Sequence, residues 1–120
     1  MVGNEDQVMI VEDEAESRFF LAKVLQLEGF NVVTFSNGAE ALTHLGQSPP
    51  PCLVIFDLRM PVMDGSQFRA AMLREPTLAK IPAVVVTAYE PPAAANLAAL
   101  RVFRKPVDVE ALLTTVRENC

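Results

Sequence analysis

The sequence has little of the features that mark the more specialised classes of protein. Two of its 120 residues are cysteine and one is histidine, which excludes a disulfide-dense scaffold and a Cys/His zinc array. No apolar run is long enough to cross a bilayer, and the polar, acidic N-terminus shows no signal-peptide pattern. Lysine and arginine do not cluster and the net charge is −5, so direct binding to nucleic acid is not expected. The 51% apolar and 21% charged residues are typical of a globular domain.

The two cysteines are far apart in the sequence. Cys52 begins a predicted strand and Cys120 is the last residue, so we expect no structural disulfide between them. A reducing, cytoplasmic location fits this cysteine usage better than an oxidising one.

Strand-like and helix-like segments alternate along the chain, which predicts one α/β domain over residues 1–120 with a parallel sheet. The predicted strands are Gln7–Glu12, Val32–Phe35, Cys52–Asp57, Ala83–Thr87 and Val102–Phe103. The predicted helices are Glu14–Glu28, Asn37–Gly46, Gly65–Glu75, a shortened or irregular fourth helix within residues 90–100, and a last helix capped by Asp108.

Three acidic residues follow two of the apolar strands. Glu12 and Asp13 end the first run and Asp57 ends another. Unbroken apolar runs indicate strands buried on both faces, and ligands of such sheets bind at the carboxyl ends of the strands. Carboxylates gathered there repel one another unless a cation lies among them. The pattern therefore predicts a pocket for a metal ion that prefers oxygen ligands.

With these acidic residues, three further motifs resemble the receiver domain of two-component response regulators over the whole chain. They are the Asp57–Gly65 segment (DLRMPVMDG), Thr87-Ala88 and Lys105-Pro106, each at the carboxyl end of a predicted strand. The resemblance implies a flavodoxin-like, doubly wound five-stranded parallel sheet in the order 2-1-3-4-5. It also implies that Lys105-Pro106 is a cis peptide bond, and that Gly65 allows a backbone geometry that other residues resist.

The resemblance also implies roles for the residues of the pocket. Asp57 would accept a phosphoryl group from a phosphohistidine, a reaction that needs positioning and charge neutralisation. Mg²⁺ would be bound directly by Asp13, Asp57 and the backbone carbonyl of Arg59, and by Glu12 through water.

Two further residues would contact the phosphoryl oxygens. Lys105 would supply a positive charge and Thr87 a hydroxyl donor. Self-phosphorylation and self-dephosphorylation would be the only chemistry, so the chain is not expected to be an enzyme in the usual sense.

Two departures from the family pattern concern the output face. The position of the usual aromatic switch residue is occupied by Val102, and Phe103 would point to the other face of the strand. The stretch between Thr87 and Lys105 is also shorter than usual by about one helical turn.

The expected partners are a sensor histidine kinase or phosphotransfer protein. The face made of the fourth helix, fifth strand and fifth helix would bind an effector or a second copy. A phosphorylation-independent interaction module is the alternative. A metal-dependent phosphatase is disfavoured because Arg59 stands where those enzymes carry a second aspartate. The domain could be free-standing or part of a longer regulator or hybrid kinase.

Overall fold

A computed structural model describes residues 4–88 and 97–120 of the chain, which contain five strands and five helices. In chain order these are β1 (Asn4–Val11), α1 (Ala15–Leu27), β2 (Asn31–Phe35), α2 (Gly38–Gln47), β3 (Pro51–Phe56), α3 (Gly65–Arg74), α4 (Pro76–Ala79), β4 (Ala83–Thr87), β5 (Arg101–Arg104) and α5 (Val109–Asn119).

The five strands form one parallel sheet in the order β2-β1-β3-β4-β5. The predicted fold class and strand order are therefore confirmed. β1 and β3 are neighbours at the centre of the sheet, and their residues from Val8 to Val11 and from Leu53 to Phe56 are almost completely buried. This burial on both faces explains why these strands are unbroken apolar runs.

Two layers of helices cover the sheet, each with its own apolar cluster. On one face, Leu21, Leu25, Leu112 and Val116 of α1 and α5 pack on alternate residues of β1 and β3. On the other face, α2 and α3 pack on the intervening residues, with Phe68 and others against Phe56. Since side chains alternate along a strand, the two clusters share the same strands.

The structure differs from the prediction in three elements. β1 begins earlier than predicted, because Asn4 pairs with Pro51. The short helix α4 was not predicted; Pro76 is placed in its first turn, where proline is tolerated. The irregular fourth helix predicted within residues 90–100 falls largely on residues 89–96, outside the described residues, and residues 97–100 are not helical.

The expectation that the cysteines form no structural disulfide is wrong. Cys52 and Cys120 are joined by a disulfide, with their Cα atoms 5.4 Å apart and a sequence separation of 68. The packing of α5 on the sheet explains the pairing: Leu112 and Val116 lie in the same cluster as Leu53. The end of α5 is thereby brought to the start of β3, a proximity that sequence spacing does not reveal. None of the helices within the described residues is long and apolar enough to span a membrane.

Candidate functional site

The register of the central strands brings the acidic residues together. Val11 of β1 is paired with Phe56 of β3, so the residues that follow them emerge side by side. The Asp57 N–H donates to the Val11 carbonyl (3.1 Å) and holds the two strand ends together. One carboxylate oxygen from each of Glu12, Asp13 and Asp57 lies within 4.8 Å of the other two. Glu12 and Asp57 are buried, whereas Asp13 is exposed.

Lys105 reaches this cluster from β5, the edge strand. Its backbone N–H donates to the Thr87 carbonyl at 2.8 Å, and its side-chain Nζ contacts Glu12 Oε1 at 2.5 Å and Asp57 Oδ2 at 3.0 Å. The peptide bond between Lys105 and Pro106 is cis, as the sequence resemblance implied. The ammonium group thus lies between two of the three carboxylates, and one positive charge faces three negative ones.

The pKa values of Glu12 and Lys105 are shifted by this arrangement. Burial raises the pKa of Glu12 above its ordinary value, although hydrogen bonds from Lys105 and from the Glu14 N–H act in the opposite direction. Burial also acts to lower the pKa of Lys105, but its hydrogen bonds to Glu12 and Asp57 outweigh burial and raise it. Lys105 is therefore charged at neutral pH, and Glu12 is the carboxylate that holds a proton more tightly than usual.

An arginine of α1 holds the backbone beneath the acidic pair. Arg18 Nη1 donates to the carbonyl of Glu12 at 2.8 Å and to the carbonyl of Asp13 at 3.2 Å. The Glu14 N–H donates to Glu12 Oε2 at 3.1 Å. Sequence reasoning missed Arg18; its position in the first turn of α1, five residues after Asp13, was the available signal.

Gly65 is needed beside Asp57 for a reason that the sequence did not reveal. It is the first residue of α3 and does not adopt the left-handed conformation. A Cβ atom at this position would lie 2.3 Å from the Asp57 carbonyl oxygen and 2.7 Å from the Leu58 Cα. Lack of space, rather than unusual backbone geometry, therefore requires glycine here. The start of α3 is fixed further by a capping box between Asp64 and Gln67.

The remaining predicted residues lie around the same edge. Thr87 is the last residue of β4 and is completely buried. Arg59 and Asp13 line an open cleft of about 460 Å³ beside the carboxylates, and the Arg59 N–H faces Asp57 Oδ1 at 3.4 Å. A larger cleft of about 710 Å³, lined by Leu45 and Arg74 among others, does not include any of the carboxylates.

Val102, at the position of the usual switch residue, and its neighbour Phe103 point in opposite directions. Val102 is exposed, whereas Phe103 is 5% exposed and packs in the cluster beneath α1 and α5. Arg101 covers the Phe103 ring, with its guanidinium carbon 4.5 Å from the ring centroid. The prediction that Phe103 faces away from the position of Val102 is thus confirmed.

The donor set of the cluster fits a hard divalent cation. Carboxylate oxygens bound to one Mg²⁺ lie at most about 4.2 Å apart, twice the usual bond length, and the three groups here already lie within 4.8 Å. Three carboxylates facing one ammonium leave an excess of negative charge that such an ion would neutralise. The open cleft beside Asp13 gives access from solvent.

Comparisons with known proteins identify the family. The family described as the response regulator receiver domain matches residues 8–117, which includes every residue of the carboxylate cluster and Lys105. The chain is a response regulator receiver domain. It is 31% identical over 119 residues to a probable chemotaxis protein CheY of Rhizobium etli, covering 96% of this chain and 92% of that protein.

Other relatives of this receiver domain differ in length. A probable transcriptional regulator ycf27 of Porphyra purpurea is 33% identical over 88 residues, which cover 73% of this chain but only 35% of the regulator. The solved structure of the response regulator protein TrrA of Thermotoga maritima, in complex with Mg²⁺ and BeF, is 26% identical with a TM-score of 0.85. That match covers 96% of this chain and 99% of the other.

Membership of this family establishes the general function. Receiver domains are the phosphoacceptor domains of two-component signalling, and they are signalling domains rather than enzymes in the usual sense. The phosphorylation-independent module considered above is not favoured.

Proposed function

We propose that Asp57 is the residue that accepts the phosphoryl group. The observation that carries the proposal is the convergence of Glu12, Asp13 and Lys105 on its side chain. Asp57 has the central place in the cluster: its Oδ2 contacts Lys105 and its backbone is held by Val11 and packed against Gly65. A nucleophile held in this way loses little freedom when it reacts.

The transfer itself exchanges one bond for another. A carboxylate oxygen of Asp57 forms a bond to phosphorus while the bond from phosphorus to the donor's histidine nitrogen breaks, and the nitrogen keeps the bonding electrons. Later attack by water on the phosphorus releases inorganic phosphate and restores the Asp57 carboxylate. Both steps depend on neutralising charge on the phosphoryl oxygens.

We assign the metal-binding role to four residues. Asp13, Asp57 and the carbonyl of Arg59 would bind Mg²⁺ directly, and Glu12 would bind it through water. When bound, Mg²⁺ supplies positive charge to the reacting oxygens. Asp13 is exposed on the cleft side and can bind without moving a buried group.

Lys105 and Thr87 would recognise the phosphorylated state. Lys105 Nζ now pairs with the carboxylates of Glu12 and Asp57, so once Asp57 is phosphorylated the ammonium can contact the phosphoryl oxygens instead. Thr87 ends the neighbouring strand β4 and its carbonyl accepts from the Lys105 N–H. A hydroxyl donor and a point charge on adjacent strands suit a tetrahedral oxyanion.

The proposed donor is a phosphohistidine of a sensor kinase or phosphotransfer protein, with small acyl phosphates as substitutes. The exposed aromatic residues Phe19 and Phe20, which follow Arg18 in α1, offer an apolar contact for such a protein. The face made by β5, α5 and the preceding segment would bind an effector or a second copy of the chain.

We propose that residues 1–120 act as one receiver unit, free-standing or within a longer regulator. A cytoplasmic location now rests on the family alone, since the disulfide removes the argument from cysteine usage.

Intact-mass spectrometry tests the acceptor assignment. Wild type incubated with Mg²⁺ and acetyl phosphate should gain one acid-labile phosphoryl group, and Asp57→Asn should gain none. Asp108→Asn is the matched control: Asp108 caps α5 and is not one of the three clustered carboxylates, and asparagine also caps helices. Equal uptake by wild type and Asp57→Asn would show that another residue is the acceptor.

A second measurement separates the role of Lys105 from that of the metal ligands. We expect Lys105→Ala to keep Mg²⁺ affinity, because the ammonium competes for the same carboxylates, but to lose the response to phosphorylation. Asp13→Ala should lose Mg²⁺ affinity by about tenfold or more. An equal loss in both variants would show that Lys105 organises the metal site instead.

A further inference from the structure

Arg69 is a buried charge in the apolar stripe of α3. The residues of this stripe, Gly65, Phe68, Arg69 and Met72, follow the spacing of one helix face and are all buried. Arg69 is 3% exposed, and burial lowers its pKa. An unpaired buried charge is costly, so its contacts need an explanation.

The guanidinium of Arg69 binds backbone rather than an acidic side chain. Its Nε donates to the Leu97 carbonyl at 2.7 Å and its Nη2 to the Ala98 carbonyl at 3.0 Å. The third contact, from Nη1, is with the Met72 sulfur at 3.8 Å. Arg69 donates to no carboxylate within residues 4–88 and 97–120. The planar fork of an arginine is suited to two neighbouring acceptors, which a lysine cannot bridge in the same way.

These two carbonyls belong to the connector tail, defined as residues 97–100, which leads into β5. Leu97 is buried in the apolar cluster of α2 and α3. Ala98 has a φ of +48°, in the left-handed region that non-glycine residues seldom adopt. The Leu100 N–H donates to the Ala83 carbonyl of β4. Arg69 therefore holds the connector tail in a conformation that is unfavourable by itself.

Both ends of this arrangement meet at Asp57. Towards the site, α3 begins at Gly65, whose Cα lies against the Asp57 carbonyl, and the Gly65 N–H donates to Leu58. At its other end, the connector tail continues through β5 to Lys105, which contacts the Asp57 carboxylate. A movement of Lys105 or of the Asp57 loop would thus act on the connector tail from both sides.

We propose that Arg69 is a positioning residue that anchors the connector tail to α3 and couples the state of Asp57 to β5. The coupling half of this inference rests on the proposed function, whereas the anchoring half does not.

Hydrogen exchange measured by mass spectrometry tests the anchoring. In Arg69→Met, amide exchange in residues 97–104 should be faster by about tenfold or more, because two hydrogen bonds from a charged donor are lost. Exchange in β1 and β3 should not change. Arg74→Met is the matched control, since Arg74 lies on the same helix but is exposed. Unchanged exchange in residues 97–104 would overturn the anchoring.

Arg69→Lys serves as a second variant if Arg69→Met does not fold. It keeps the charge but replaces the fork by a single ammonium, so we expect a smaller increase in exchange in the same residues. Wild-type exchange in Arg69→Lys would also overturn the proposal, because it would show that the fork geometry is not required.

Addition of Mg²⁺ and beryllofluoride tests the coupling. Wild type and Arg74→Met should show changed exchange in residues 97–104, and Arg69→Met should bind the mimic but lose most of that change. A full response in Arg69→Met would overturn the coupling. If wild type failed to bind the mimic, the proposed function and the coupling would both be wrong. The comparison without mimic would still decide the anchoring.

Discussion

The carboxylate cluster and the connector tail are held in place by different kinds of contact. Glu12 and Asp57 follow β1 and β3, two central strands that are buried on both faces and paired in register. The connector tail leads to β5, an edge strand of four residues of which only Phe103 is buried. The connector tail is held by the guanidinium of Arg69, by the hydrogen bond from the Leu100 N–H to the Ala83 carbonyl and by burial of the Leu97 side chain.

This difference separates the residues of the carboxylate cluster from the part of the sheet that we expect to move on phosphorylation. Groups that must meet within a few ångströms are carried by the part of the sheet with most buried apolar area, where local opening is rare. The connector tail and β5, which lead to Lys105, depend on a small number of polar contacts, and these can be exchanged at low cost in free energy. A phosphoryl group on Asp57 would therefore move the edge of the sheet before its centre.

The largest expected effect comes from breaking the disulfide, which links α5 beside the edge to the start of central β3. Closing a loop of 68 residues contributes about 4 kcal/mol in the chain-entropy estimate. Dithiothreitol should lower the free energy of unfolding by about this amount in urea titrations. Mg²⁺ affinity should hardly change, because Cys52 and Asp57 lie at opposite ends of β3.

Cys120→Ser provides the control for this experiment. Its stability should match that of the reduced wild type and should not respond to dithiothreitol. Unfolding curves of wild type that coincide with and without reductant would contradict the disulfide.

Crowding the central region should have the next largest effect. Gly65→Ala places a methyl group against backbone atoms of Asp57 and Leu58, so we expect a loss of about 3 kcal/mol in unfolding free energy and weaker Mg²⁺ binding. Gly46→Ala is the matched control: it has no heavy atom within 4 Å of the new Cβ and should stabilise α2 by about 0.5–1 kcal/mol. Equal effects of the two substitutions would show that the contact of Gly65 with Asp57 is not tight.

A pH titration of Mg²⁺ binding tests whether Glu12 takes part in binding the ion. Burial raises the pKa of Glu12 above its ordinary value of 4.5, so protons compete with the cation already above that pH. Mg²⁺ affinity should fall as the pH is lowered through this range, by at most about tenfold per pH unit for one proton. In Glu12→Gln the fall should begin at lower pH. Identical profiles for both proteins would show that Glu12 does not take part in binding.

The smallest effect is expected in the loop after Asp57. Val62 has a φ of +72° and is 82% exposed, a conformation that costs a β-branched residue about 1–2 kcal/mol. Val62→Asn should raise the free energy of unfolding by about 1 kcal/mol, since asparagine tolerates this region. Val102→Asn, at an exposed strand position, should instead lower it slightly. A destabilised Val62→Asn would indicate that the valine side chain makes a contact that matters.

Local patterns in the sequence predicted the strands, most of the helices and the three acidic residues of the cluster. The strand order and the roles of Arg59, Thr87 and Lys105 came from the resemblance to receiver domains. Apolar runs predicted the buried strands, and the acidic residues after them predicted a cluster at one edge. The start of α5 at Asp108 was predicted from the capping rule. The short α4 was missed because four residues are too few for a periodic signal.

The contacts between distant residues were decided only by the tertiary structure. The sequence determined which residues end the strands, because burial and periodicity act over a few neighbours. It did not determine the disulfide between Cys52 and Cys120, the space required at Gly65, or the anchoring of residues 97 and 98 by Arg69. These depend on how α3 and α5 pack against the sheet, and such packing joins residues whose separation along the chain carries no information about their distance in space.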